Sequence, residues 1–294
     1  MNDEILINNR YSINKKVGKG SFGDVHLGYD KKTGNMVAIK LEYYQRRSTL
    51  DHEYKIYNEV CGKKTNCHIP KIYWYGHEGD YRVMVMEFLG NSLESLLNTC
   101  GRKFSLKTTT MIGIQLLTLL QQLHTCNFIH RDLKPENFLI GINQQRFFIY
   151  MIDFGLCKRF KDNERRHMKL NTGKKLVGTA RYASVNSHKG IELSRRDDLE
   201  SLLYLLIYFR KGHLPWQGMP GNSREEKYER IKNKKIETTT GELCKDMPKQ
   251  FEHFFDHVKS LKFKEKPNYK YLFSLLVSVM EENNYRMDYR YDWG

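Results

Sequence analysis

Asp132, Lys134 and Asn137 stand close together in His130-Arg131-Asp132-Leu133-Lys134-Pro135-Glu136-Asn137, and side chains of these types suit the transfer of a phosphoryl group. The Asp132 carboxylate would accept the proton of an attacking hydroxyl and orient it, while the Lys134 ammonium would neutralise the phosphoryl group in flight. Asn137 would bind Mg²⁺. Sixteen residues beyond it, Asp153-Phe154-Gly155 supplies a second metal ligand, and oxygen donors of this kind suit a hard cation that bridges phosphates.

A phosphoryl donor needs its own cradle. Gly18-Lys19-Gly20-Ser21-Phe22-Gly23 matches G-x-G-x-x-G, a pattern with three competing explanations. A P-loop would place Lys after the last glycine, where Asp24 stands, and a dinucleotide fold would open a helix, where Val25 and Leu27 continue a strand. The segment resembles instead the Gly-rich loop of protein kinases. Gly18, Gly20, Ser21 and Gly23 would let backbone N–H groups approach the ATP phosphates, and Val17 and Val25 would cover the adenine. An ordinary hairpin turn explains this segment alone equally well, until Val37-Ala38-Ile39-Lys40 follows on the next strand. Lys40 alternates with Ala38 and would face the nucleotide side of the sheet, where an ammonium can hold α- and β-phosphate oxygens.

Lys40 requires a counter-charge. Leu50, Tyr54, Tyr57 and Cys61 recur at helical spacing between Ser48 and Cys61 and mark an inward face. Glu53 lies at the edge of that face and Glu59 points roughly opposite, so Glu53 is the better partner. Without a lysine to meet, Glu53 would read as a solvated helix carboxylate.

The elements that must position these groups are legible in outline. Phe22 to Tyr29 and Met36 to Tyr43 read as a hairpin around Asp30-Lys31-Lys32-Thr33-Gly34-Asn35, and Lys71 to Tyr75 and Tyr81 to Phe88 as further strands. Gly90-Asn91-Ser92 then breaks the pattern. Beyond it Leu106 to Cys126, Asp197 to Phe209, Phe251 to Leu261 and Tyr269 to Met280 read as helices, the first two apolar enough to be buried. A composition boundary therefore falls near residue 90.

Bulk properties allow one large two-lobed unit or two domains. The chain has 294 residues, 40% hydrophobic and 28% charged, with only 6 prolines, so no long disordered linker is expected. Its longest strongly apolar run, Leu202 to Phe209, is too short for a bilayer, and no export segment is expected at Met1 to Ile5. Six cysteines without a C-x-x-C pair are expected to be reduced, which places the chain in the cytoplasm, with the nucleus also open. A net charge of +15 favours acidic or phosphate-rich partners. No nucleic-acid recognition motif is evident, so specific nucleic-acid binding is not expected.

The ordered motifs resemble those of protein kinases, and Lys134, two residues after Asp132, is the serine/threonine form of the loop. No Ala-Pro-Glu closes the segment that follows. Gly178-Thr179-Ala180-Arg181-Tyr182-Ala183-Ser184-Val185-Asn186, Ser194-Arg195-Arg196-Asp197-Asp198-Leu199-Glu200-Ser201-Leu202, Leu214-Pro215-Trp216-Gln217-Gly218, Lys227-Tyr228-Glu229-Arg230-Ile231 and Tyr291-Asp292-Trp293 are similar to the casein kinase 1 family. The resemblance covers about the whole chain. It implies an α+β, bilobal protein-kinase fold over residues 1–294: an antiparallel β-sheet N-lobe with one helix to about residue 87, a hinge over about 87–92, and a mainly α-helical C-lobe from about 93. It also implies ATP in the cleft, with Met86 as gatekeeper, Glu87 to Leu89 contacting adenine, and Leu139 and Ile152 beneath the ring. Asp198 resembles the helix aspartate that holds the catalytic-loop backbone.

The same resemblance implies a serine/threonine kinase using ATP and Mg²⁺ on acidic or already phosphorylated proteins, and a monomer is expected. Arg181, Gly218 and Lys227 match the family's pocket for a priming phosphate, and Arg131, Lys158 and Lys174 match a second anion site. The run from Lys158 to Lys175 adds further positive charge, of which Arg165, Arg166 and Lys169 read more simply as a solvated surface. Met219 to Glu226 is less basic than the family segment, which points to a weaker phosphate preference. A catalytically weak pseudokinase scaffold would be expected to lack Lys40, Asp132, Asn137 or Asp153, and all four are present.

Overall fold

The computed structural model describes residues 6–19, 23–44, 48–61 and 68–294. Two compact units emerge. One comprises the described residues up to Asn91 together with Phe138–Cys157, and the other comprises Ser92–Asn137 with Lys158–Gly294. The chain leaves the first unit after Asn91 and returns to it for one short excursion.

In the first unit, β1 (Leu6–Ile7), β2 (Tyr11–Lys19), β3 (Asp24–Asp30) and β4 (Met36–Tyr43) precede α1 (Thr49–Cys61), and β5 (Ile72–Glu78) and β6 (Tyr81–Glu87) follow it. The strands form one antiparallel sheet in the order β1-β2-β3-β4-β6-β5. Its register sorts side chains by face, since residues directly opposite one another point the same way. Val37, Ile39, Val83 and Val85 pack with Ile7 and Tyr11 as a hydrophobic cluster. The alternate residues make a second set: Gly18 opposes Val25, Val25 opposes Lys40 and Lys40 opposes Met84, while Leu27 opposes Ala38 and Ala38 opposes Met86.

Helix α1 is tied to the sheet at its first turn. The Glu42 carboxylate, on β4, accepts from the backbone N–H groups of Thr49 and Leu50 at 3.1 and 2.8 Å and from the Thr49 hydroxyl at 2.7 Å. Those amides have no partner inside the helix, and a carboxylate at a helix N-terminus also meets the positive end of its dipole. The returning excursion adds two short paired strands, Phe138–Ile140 and Ile149–Met151.

The second unit is helical: α2 (Leu93–Thr99), α3 (Leu106–Thr125), α4 (Val185–His188), α5 (Arg195–Lys211), α6 (Arg224–Glu237), α7 (Thr240–Leu243), α8 (Lys249–Ser260) and α9 (Tyr269–Glu282). Helix α5 runs through its core, buried from Leu202 to Phe209, and packs on α3 and α8, while α9 packs on α3 and α8. Burial all round a helix is what an unbroken apolar run demands. A two-residue pairing of Phe128–Ile129 with Lys158–Arg159 brackets the catalytic-loop segment. Among the described residues no helix is long and apolar enough to cross a membrane.

Candidate active site

The first unit gathers the groups expected to hold nucleotide. Lys40, 6% exposed, sits with its Nζ 2.5 Å from Glu53 Oε2 and 3.8 Å from Asp153 Oδ1. Glu53 is 1% exposed, so it lies at the centre of the buried face of α1, with Leu50, Ile56, Tyr57 and Val60, and not at its edge. Tyr54 takes the edge instead and stacks on Tyr75 with ring centroids 4.0 Å apart. The difference has a physical cause: a carboxylate can enter that face because Lys40 neutralises it there. Burial alone would pull the Lys40 ammonium down, but Glu53 and Asp153 more than offset this and hold its pKa above the ordinary lysine value. Burial raises that of Glu53, against the pull of Lys40.

Asp153 is held in the left-handed region, at φ 64°, a conformation that costs free energy in a non-glycine residue and needs outside support. Its N–H donates to Tyr57 Oη at 3.3 Å, and its Oδ1 accepts from Gly155 N–H at 3.4 Å. Phe154, next in sequence, is fully buried with its ring edge-on to Tyr57. Helix α1 therefore supports Asp153 directly through Tyr57, and through Glu53 only by way of Lys40, which pairs with both carboxylates.

Of the other expected nucleotide contacts, Gly18, Val25, Ala38 and Met86 lie in the same register rows as Lys40 or beside it. Gly23 approaches β4 so closely that a Cβ there would run into the Leu41 carbonyl oxygen, which accounts for glycine independently of phosphate binding. Met86 and Leu89 are buried, and Glu87 exchanges bonds with Lys71, its backbone N–H reaching Lys71 O at 2.8 Å. Leu139 and Ile152 are half-buried, and Val17 is exposed. Gly20 and Ser21 lie outside the described residues.

The second unit holds the residues expected to form the catalytic loop. Asp132 Oδ2 accepts from Lys134 Nζ at 3.0 Å, and its Oδ1 accepts from both the N–H and the hydroxyl of Thr179, each at 2.8 Å. Asn137 Nδ2 donates to the Asp132 carbonyl at 3.0 Å, which fixes the amide by its nitrogen and commits its oxygen to the role of acceptor or metal ligand. Gly178, at φ 87°, is packed so tightly on the Arg131 carbonyl that no Cβ could fit. That contact brings Thr179 onto Asp132.

Beneath the loop lies a buried network. Asp198 Oδ2 accepts from His130 N–H at 2.7 Å and its Oδ1 from Arg131 N–H at 2.9 Å, which holds Arg131 at its left-handed φ of 70°. Asp198 Oδ2 also accepts from His124 Nε2–H at 2.8 Å, and His124 Nδ1 accepts from the Tyr269 hydroxyl at 2.6 Å. Burial alone would raise the Asp198 carboxyl, yet His124 and the backbone donors hold it below the usual carboxylate range. Removing the far end of this chain tests it. Tyr269→Phe leaves His124 Nδ1 buried without a donor, and a loss of about 1–3 kcal/mol is expected in a urea denaturation curve; an unchanged midpoint would show that the hydroxyl bond contributes nothing.

The segment without Ala-Pro-Glu is anchored through α5. Ser184 Oγ and Asn186 Nδ2 both donate to Asp197 Oδ1, at 2.8 and 2.9 Å, and Val185 N–H donates to Glu200 Oε1 at 2.7 Å. Burial, reinforced by Glu200, pushes the Asp197 carboxyl up to about 6.

The basic residues divide. Lys158 and Lys174 converge on Glu192, at 2.8 and 3.9 Å, and that carboxylate is only 4% exposed. A protein carboxylate therefore stands among the cations expected to form an anion site with Arg131. The Arg181 guanidinium lies over the rings of Tyr182 and Tyr208, and Trp216 Nε1–H donates to the Arg181 carbonyl at 2.7 Å, which seats the Leu214–Gly218 segment beside it. Gly218 and Lys227 are exposed. Arg166 pairs with Asp162 and Glu164 at the surface.

Thr179, Glu192, His124 and Tyr269 touch the candidate site residues and were not singled out by sequence reasoning. Thr179 had a signal, since it sits in Gly178-Thr179-Ala180-Arg181, one residue after Gly178. The other three meet their partners only through the fold.

A buried pair between a sheet lysine and a helix glutamate, and a loop aspartate paired with lysine in a helical unit, are parts suited to a phosphotransferase. A family model, the protein kinase domain, matches residues 11–277. The chain belongs to that family and has its α+β fold, with the sheet toward the N-terminus and helices toward the C-terminus; kinase activity and use of ATP follow from membership.

Proposed function

We propose that this kinase phosphorylates serine and threonine, in the manner of casein kinase 1, on acidic or already phosphorylated protein substrates. The observation that carries the reading is the Asp132 carboxylate, whose two oxygens are oriented by Thr179 and by Lys134. In that setting Asp132 orients the acceptor hydroxyl and receives its proton, and the Lys134 ammonium offsets charge on the group in transfer. Lys40, kept cationic by Glu53 and Asp153, holds phosphate oxygens of the nucleotide.

Magnesium suits the donors present. Asp153 and Asn137 offer hard oxygens, and Mg²⁺ in kinases is completed by substrate phosphates and water in place of a full protein cage. When bound, Mg²⁺ neutralises phosphate charge.

Arg181 is the proposed receptor for acidic or phosphorylated substrate groups. Its guanidinium is held in place by two tyrosine rings and is suited to bidentate phosphate recognition. The test is Mg-ATP turnover on one serine peptide with and without phosphoserine three residues upstream, for the wild type and Arg181→Ala. The primed peptide is expected to be the better substrate for the wild type by about tenfold, the worth of a charge-assisted hydrogen bond, and the variant to lose that difference. Equal wild-type rates on both peptides would remove the priming reading.

A further inference from the structure

Helix α6 carries a lysine that is turned inward. Lys235 is 3% exposed. Its Nζ donates to the carbonyl oxygen of Ala180 at 3.0 Å and to that of Ala183, and lies 4.9 Å from the ring centroid of Tyr204 and 5.0 Å from that of Trp216. Trp216 donates in turn to the Arg181 carbonyl, and His188 Nε2 lies 3.1 Å from the Ala180 oxygen. Three carbonyls of the tetrapeptide Ala180 to Ala183 are thus held by side chains from outside it. Below the ammonium, Glu200 accepts from Val185 N–H and from the Tyr204 hydroxyl, both at 2.7 Å on Oε1.

Packing alone does not call for a lysine here. An apolar side chain of similar length would fill the space without the desolvation cost of a buried charge. Burial draws the Lys235 ammonium below the ordinary lysine value, against the pull of Glu200. An ammonium supplies what an apolar chain cannot: several donors at one point, able to hold two carbonyls while facing aromatic rings.

We propose that Lys235 is a positioning residue for the acceptor substrate, fixing the Ala180 and Ala183 carbonyls and so the path of the segment between Thr179, on Asp132, and Ser184, on Asp197. The proposal rests on the functional reading above, in which Asp132 orients the acceptor and Arg181 receives its acidic group. Removing the ammonium frees the backbone on both sides of Arg181 while leaving Lys40, Asp153 and Asp132 unchanged in composition.

The test compares wild type, Lys235→Met and Lys235→Arg by steady-state kinetics on unprimed and primed serine peptides, with thermal melting as a check on folding. K235M is expected to raise the acceptor KM about tenfold, the effect of losing a charge-assisted hydrogen bond, with the KM for ATP unchanged and K235R restoring most of the loss. Trp216→Phe, which keeps a ring and removes the donor to Arg181, is expected to act in the same direction. Should K235M fail to fold, K235M/E200Q carries the same comparison, because the amide oxygen of Gln still accepts from Val185 and Tyr204. An unchanged acceptor KM, an equal rise in the KM for ATP, or unfolding of both variants would overturn the proposal. Equal wild-type rates on the two peptides would remove only the priming reading, since the Lys235 effect is also read on the unprimed peptide.

Discussion

Asp132→Asn is expected to lower phosphoryl transfer about a thousandfold, within the range of a lost general base, and to leave nucleotide affinity within a factor of about two. Asparagine keeps the shape and one acceptor oxygen, so Thr179 can still donate its two bonds. The other position becomes an NH₂ group that faces Lys134, donor against donor. The variant can no longer take the hydroxyl proton, and it repels the lysine proposed to neutralise the transferring group. Nucleotide contacts proposed for Lys40 and Asp153 belong to other residues, so binding survives. Single-turnover rates and calorimetric titration with nucleotide separate the two effects, and unchanged turnover would contradict the assignment.

Lys40→Met is expected to damage both stability and activity. It leaves Glu53 with 1% exposure and no cation at 2.5 Å, and breaking a buried pair in this way costs about 3–5 kcal/mol. The carboxyl can escape part of that cost by taking up a proton, a direction in which burial already pushes it. K40M/E53Q should therefore recover part of the lost stability, because the neutral amide needs no counter-charge. It should recover none of the activity, since the proposed phosphate-binding ammonium is still missing. Urea denaturation of wild type, both single variants and the double variant yields the coupling energy directly. A K40M protein as stable as the wild type would show that the pair contributes nothing to the fold.

The chemistry was more legible in the sequence than the scaffold around it. Lys40 and Glu53 could be paired from strand alternation and helical spacing, because each lies on a regular element whose period fixes direction. Strand β2 was less visible: its pairing with β3 shifts register between Ile13 and Lys16 and again before Gly18, and such bulges erase the two-residue alternation. Helix α6 shows no clear helical period in its sequence, since only Ile231 and Lys235 of its fourteen residues are buried. It is specified instead by the Ser223 N-cap and the Glu226–Arg230 pair.

The remaining site residues share one property, which is distance along the chain. His124 meets Tyr269 across 145 positions and Asp198 across 74, and Lys235 meets Ala180 across 55. No local period reports such contacts. Glu192 is the instructive case: charge counting along Lys158 to Lys175 suggested an open cationic surface, and a single carboxylate seventeen positions further on occupies part of it.

The central claim is that Asp132 directs ATP-dependent phosphorylation of serine or threonine, and it is tested most directly by product identity. The wild type and D132N, each given Mg-ATP labelled at the γ-phosphate and an acidic protein substrate, are followed by mass-spectrometric assignment of the modified residues. Phosphoserine or phosphothreonine from the wild type, absent with D132N, is the predicted result. Phosphotyrosine alone, or equal labelling by the two proteins, would contradict the account.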